Sequence, residues 1–248
     1  MLIIVAHYTS DAIQWPLGIS LSSFNPLGAP CYNRDMEIKY LGHSCFRIKG
    51  KNTMVITDPY APELGFSLGK QTANIVTVSH QHSGHNYSAG VIGEPRVVSR
   101  PGEYEIGDAI LIGLPSFHDS EKGLIRGKNV IFVISVDDLV ICHLGDLGEP
   151  LTESKVEELG NVDILMIPVG DMSALNANNA ARLVRQIEPA IVIPMHYKLP
   201  QGTRELEPVE RFLGEMGASA VVPQPKLVIT KANLPLPTQV VVLEAGAQ

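Results

Sequence analysis

The chain has 248 residues, 45% hydrophobic and 18% charged, which suits one large domain or two small ones with a substantial core and excludes a disordered or fibrous chain. Its net charge of −7 argues against a strong binder of phosphate backbones, so no nucleic-acid partner is expected. No apolar run approaches the roughly 18 residues of a membrane span. Three cysteines, Cys31, Cys45 and Cys142, form an odd set without CxxC spacing, which reads as free thiols in a reducing, cytoplasmic setting.

The N-terminal stretch MLIIVAHYTSDAIQWPLGISLSSFNP begins apolar but meets its first basic side chain only at Arg34, so it does not read as a secretion signal. Residues 1–35 hold the only tryptophan, Trp15, and show no periodicity. They are expected to be a loose extension, disordered or an upstream start absent from the mature protein, with the folded domain running over 36–248. From Met36 the runs EIKYLG, CFRIKG, TMVITD, IVTVSH, PRVVSR and AILIGL are short, rich in Val and Ile, and punctuated by Gly, Asp and Pro, the pattern of strands. VIFVISVDDLVICHLG reads as two strands joined by a turn at VDD. Helices come later. LTESKVEELG has Thr152 as N-cap and Gly160 as C-cap, NANNAARLVRQIEP carries an apolar stripe stopped by Pro189, and LEPVERFLGEMG ends at Gly217. VDILMIPVG and AIVIPMHY between them are buried strands, and PKLVIT and TQVVVLEA close the chain. Strands followed by strand–helix alternation fit two sheets with outer helices better than one parallel sheet.

The histidines are not scattered. Three of eight, His80, His82 and His85, fall within VSHQHSGHNY. NIVTVSH delivers His80 at a strand end, DLVICHLGD delivers His143 and Asp146, and AIVIPMH delivers His196. Loops on a rigid scaffold are where functional groups concentrate. Imidazoles with a carboxylate are ligands for Zn, Mn, Fe or Ni, and each needs its second nitrogen held by an acceptor. Around this set, His118 and Asp119 in SFHDSEKG follow an apolar run, with His118 a candidate acid/base or extra ligand. His43 in GHSCF and Asn86 are candidates beside the site. Tyr197 and Lys198 are candidates for an anionic substrate, and Tyr104 for the cleft wall. Cys142 should point into the core.

SHQHSGH, HLGD and IPMH in this order, after YLGHSCFRI and TMVITDP, resemble the metallo-β-lactamase superfamily over about residues 36–200. The similarity is greatest to its ascorbate-6-phosphate-lactonase-like branch of Zn-dependent hydrolases. The resemblance implies an α/β fold, a four-layer αββα sandwich of two mixed β-sheets with outer helices, and one or two zinc ions at one edge. Carried over position by position, His80, His82 and His143 bind the first metal, Asp146 bridges, and His85 and His196 bind the second. Asp58 orients the histidine loop. Asp146 and His118 are then the catalytic candidates.

The family pattern HxHxDH departs here at Gly84, where an aspartate would ligate the second metal. Losing that carboxylate should weaken the second site. The reading that follows is a hydrolase using a metal-bound hydroxide on a small ester, lactone or phosphoester, with a homo-oligomer a further expectation. Two others stay open: a metal-binding protein with little hydrolytic activity, and a phosphodiesterase or nuclease.

Overall fold

Burial alternates along the first strand. In β1 (Met36–Gly42) Met36, Ile38 and Tyr40 are buried while Glu37 and Lys39 between them are half-buried, as a strand with one face on a core requires. The computed structural model describes residues 35–170 and 174–246; the expected N-terminal extension, and Cys31 with it, lies outside the described residues apart from Asp35.

The chain continues through β2 (Cys45–Lys49), β3 (Met54–Thr57), β4 (Gln71–Thr72), β5 (Ile75–Thr77), β6 (Val91–Ile92) and β7 (Arg96–Val98). Next come β8 (Gly102–Ile106), β9 (Ala109–Phe117), β10 (Lys128–Val136) and β11 (Leu139–His143). Alternation follows, with α1 (Glu153–Leu159), β12 (Ile164–Pro168), α2 (Ala177–Ile187), β13 (Ile191–Met195) and α3 (Val209–Glu215), before β14 (Leu227–Ile229) and β15 (Gln239–Val240).

One sheet has the order β14-β1-β2-β3-β5-β7, antiparallel as far as β3 and parallel beyond. The other has the order β15-β13-β12-β11-β10-β9-β8, parallel from β15 to β11 and antiparallel beyond. Ile38, Tyr40, Phe46, Ile48 and Val55 of the first sheet share one buried cluster with Leu111, Phe132, Ile134, Ile141 and Leu165 of the second. The expected α/β sandwich of two mixed sheets with helices is present.

Local chemistry explains the helix ends. Thr152 caps α1 by accepting the Lys155 N–H, and Asn176 caps α2 by accepting that of Asn179, each satisfying an otherwise orphaned donor. α2 buries Ala180, Ala181, Leu183 and Val184. Over the other face of the first sheet the cover is different. Leu41, Cys45, Ile56, Val76 and Val78 pack under Tyr60, Leu64, Leu68 and Val91, which come from loops, a single 3₁₀ turn (Pro62–Leu64) and the β4–β6 ribbon.

The VDD turn is a two-residue hairpin in which Asp137 and Asp138 both have positive φ, 49° and 63°, as a type I′ turn demands. β8 escapes the sequence pattern because GEYEI is an edge strand with two exposed glutamates.

Candidate metal centre

The loops that carry the histidines leave strands of both sheets. β5 ends at Thr77 and releases the loop with His80, His82 and His85. The β1–β2 turn carries His43. In the second sheet β9 leads to His118, β11 to Asp146 and β13 to His196. These side chains meet. His80, His82 and His118 can each place one nitrogen within 4.8 Å of the others, and so can His43, His85 and His196.

Asp146 stands between the two triads. Its Oδ2 lies 3.1 Å from His85 Nε2, 3.2 Å from His196 Nε2, 3.4 Å from His118 Nε2 and 3.8 Å from His80 Nε2. Donor atoms about 2.1 Å from a shared tetrahedral cation are roughly 3.4 Å apart, so this spacing suits ligands of a common ion. Two further atoms point the same way. His80 Nε2 and Asp146 Oδ1 are buried and have no hydrogen-bond partner, a costly condition for polar atoms unless something else satisfies them. A divalent cation fits this donor set.

Asp58 organises the histidine loop from beneath. Fully buried, it accepts the Ser79 N–H at 2.7 Å and the Ser79 hydroxyl, and pairs with His85 Nδ1 at 2.9 Å. That contact fixes the His85 ring and leaves Nε2 facing Asp146. A third grouping, Asp58 with His80 and His85, is accounted for by this network.

The charges follow the geometry. Burial pushes His80 down to about 2, and burial with its neighbours His196 and His85 holds His43 well below the usual imidazole range. Burial also works against a charge on His85, but Asp146 and Asp58 outweigh it and lift His85 to about 9. Burial opposes the charge on Asp146 too, yet His196 and His85 hold its carboxyl well below the usual range.

His143 is placed otherwise than the motif order implied. It ends β11 fully buried, its Nδ1 accepts the Gly145 N–H at 3.2 Å, and its Nε2 donates to the Ser44 carbonyl at 2.8 Å. Both nitrogens are used, so the ring ties the HLGD turn to the β1–β2 turn instead of facing Asp146. The residue that stands with His80 and His82 is His118. Asn86 reaches Gln81 at 3.4 Å, Lys198 is exposed, Tyr197 is buried against Tyr40, and Tyr104 bonds the Arg100 carbonyl; none of these four lines the cavity over the histidines. Cys142 and Cys45 are buried free thiols.

The cavity is about 320 Å³ and is lined by His43, His82, His85, His118, Asp146 and His196, with Arg126, Arg204, Glu205 and Leu206 at its wall. The sequence reading missed both arginines. Arg126 arrives on a loop folded around Asp119, whose carboxylate accepts the N–H groups of Glu121, Gly123, Ile125 and Arg126. Asn129 was also missed. It is a polar residue inside an apolar strand run, GKNVIFVIS, and that mismatch is the available signal. Its Oδ1 accepts the Asp146 N–H at 3.1 Å. Gly145, at φ +59°, lets the turn pass: a Cβ there would lie 2.4 Å from Asn129 Oδ1 and 2.6 Å from Ser79 Cβ.

Residues 37–196, well over half of the chain, match the β-lactamase superfamily domain. A UPF0173 metal-dependent hydrolase of Methanopyrus kandleri is 26% identical over 219 residues, covering 75% of this chain and 95% of that protein. A crystal structure from Thermotoga maritima, described as a candidate Zn-dependent hydrolase of the metallo-β-lactamase superfamily, shares 33% identity. It aligns with a TM-score of 0.68 over 85% of this chain and 99% of its own. An isothiocyanate hydrolase from Delia radicum gut bacteria is alike in fold alone, at 12% identity and a TM-score of 0.59 over 79% of this chain and 98% of its own. The first of these relatives carries the UPF0173 label, not that of the ascorbate-6-phosphate-lactonase branch expected from the motifs. The motif order read from the sequence, the two mixed sheets and the match over 37–196 agree: the chain belongs to the β-lactamase superfamily.

Proposed function

We propose that this metal-dependent hydrolase holds two divalent cations, zinc by preference for an imidazole-rich donor set, and cleaves a small anionic ester, lactone or phosphoester. The observation that carries the reading is Asp146 Oδ2 among four histidine Nε2 atoms at 3.1–3.8 Å. His80, His82 and His118 would hold the first cation, His85 and His196 would take part in holding the second, and Asp146, which stands between the two triads, would serve both. Bound there, the cations supply Lewis acidity, polarising a carbonyl or phosphoryl oxygen and lowering the pKa of water from 15.7 to about 7.

The protein's own groups do the rest. Asp58 keeps His85 in the tautomer that offers Nε2 to the centre. Asn129 fixes the backbone of Asp146. Arg126 and Arg204, on the cavity wall, match an anionic group on the substrate; an arginine fork pairs with carboxylate or phosphate through two donors. His118 serves this reading as a ligand, in preference to the acid/base role.

The test is a panel of neutral and anionic esters, lactones and phosphoesters, run with metal-loaded and chelator-stripped protein. Hydrolysis that is lost on chelation, restored by zinc and faster for anionic members supports the reading. Metal uptake with no turnover on the whole panel favours the metal-binding alternative.

A further inference from the structure

The second triad contains a residue that the HxHxDH pattern does not. We propose that His43 is the fourth ligand of the second cation and takes the room that Gly84 leaves, so the site is completed by an imidazole from the β1–β2 turn. The inference rests on the two-cation reading and extends it.

Three observations carry it. First, Gly84 is buried, and a Cβ built on it would lie 2.7 Å from His43 Nε2 and 3.1 Å from His43 Cδ2. Any side chain at position 84 and the His43 ring as placed exclude one another. The absent carboxylate and the present imidazole occupy one location. Second, the ring is packed where a ligand to His85 and His196's cation must be. Its centroid is 4.8 Å from that of His85 and 4.4 Å from that of His196, and all three rings can present nitrogens within 4.8 Å of one another. With Asp146, His85 and His196 provide three protein donors; His43 makes a fourth, and a catalytic cation that expands to five positions keeps one for water or substrate. Among the described residues no hydrogen bond engages either His43 ring nitrogen.

Third, the backbone adopts an uncommon conformation to put the ring there. His43 has φ +55°, left-handed backbone that only a few per cent of non-glycine residues adopt, although histidine tolerates it better than most, and it follows Gly42 at φ +120°. Its carbonyl is pinned twice, by the Tyr40 hydroxyl at 2.6 Å and the His196 N–H at 2.7 Å, and the next carbonyl, of Ser44, accepts from His143. Over-determined strain of this kind gathers at functional sites. Gly84 therefore relocates the fourth ligand, and the weakening of the second site expected from the sequence does not follow. Replacing a carboxylate by a neutral imidazole would also leave the loaded centre one unit more positive.

The experiment compares wild type, His43→Asn, Gly84→Asp and the double variant His43→Ala with Gly84→Asp. Each full-length chain is equilibrated with buffered free zinc, and bound zinc per chain is determined by elemental analysis, with thermal unfolding measured in parallel. Asparagine tolerates the left-handed backbone, so the fold at position 43 is kept. The expected result is two zinc ions in wild type, one tight and one at least tenfold weaker in His43→Asn, no gain in Gly84→Asp, and two again in the double variant. Two ions with unchanged affinities in His43→Asn would overturn the inference, as would a single ion in wild type at saturating zinc. No ion in wild type would instead bring down the metal-centre reading beneath it. A readout without variants uses wild-type protein with nitrogen-15 histidine and cadmium-113. Scalar coupling to His43 is expected beside that to His85 and His196; coupling to His85 and His196 alone counts against His43.

Discussion

Asn129 Oδ1 accepts the backbone N–H of Asp146, and the Asn129 amide group donates to the Leu144 carbonyl at 2.9 Å and to Ser116 Oγ at 2.8 Å. One buried side chain in β10 thus holds both sides of the turn that presents the Asp146 carboxylate. Asn129→Leu leaves the Asp146 N–H and Leu144 carbonyl without these partners. The cost is about 2–6 kcal/mol, since each of the two unmet buried groups costs about 1–3 kcal/mol. Urea denaturation of the metal-free protein measures it; a loss under about 1 kcal/mol would show that the turn holds itself.

Asp58→Asn keeps the shape but turns an acceptor oxygen into a donor, so Ser79 and His85 can no longer both be served. Disturbing an outer partner of a metal-bound histidine typically costs 10–100-fold in affinity. Competition against a zinc chelator should show a loss of that size at the ion His85 faces and, through the Ser79 hydroxyl that lies 2.9 Å from His80 Nδ1, a loss at the other ion as well. Unchanged affinity at both ions would show that Asp58 does not hold the histidine loop for metal.

His143→Gln separates a strut from a ligand. Both His143 nitrogens are used, one by Ser44 and one by Gly145, so the variant should melt earlier, losing about 1–3 kcal/mol. Its zinc content should match wild type. Loss of an ion from a variant that is still folded would put His143 back among the ligands.

The metal-stripped protein should have a stability maximum near neutral pH. His85 is raised to about 9, so its contribution is fully present below the unfolded value of about 6.5 and is lost as pH rises through about 9. The size is on the order of 3 kcal/mol. His80 is held down to about 2; below about pH 6.5 the unfolded chain takes up a proton there that the folded chain refuses, so stability falls on the acid side too. Urea melts of stripped protein across pH 5–10 check both limbs. A flat response between pH 6.5 and 9.5 would refute a protonated His85.

Arg204→Ala and Arg126→Ala should each raise KM for anionic substrates about 10–100-fold, the value of a charge-assisted hydrogen bond, and leave neutral esters nearly unchanged. Steady-state kinetics on matched neutral and anionic substrates decide it. Equal effects on both substrates would mean that the arginines shape the cavity without recognising charge.

Much of the fold was legible because it is written locally. Thr152, Gly160 and the alternation in EIKYLG are contiguous signals, and so is the histidine loop beside Asp58. What escaped was written across the fold. HLGD puts His143 three residues before Asp146 on a strand end, and only the sheet packing shows that its ring faces Ser44. His118 competes for the same role from another strand. Gly84 reads as a deficit because the ring that fills its space comes from a different hairpin. Arg126 depends on the four N–H groups gathered by Asp119, and Arg204 on a loop after β13, so neither has a pattern to betray it.

Each triad draws two histidines from loops of the first sheet and one from the second, and Asp146 comes from the second. A chain in which only the first sheet has formed offers imidazoles without Asp146. The complete centre therefore exists only after the two sheets have docked. On the proposed reading, metal capture requires both sheets in place, and metal bound there adds to the stability of the docked state.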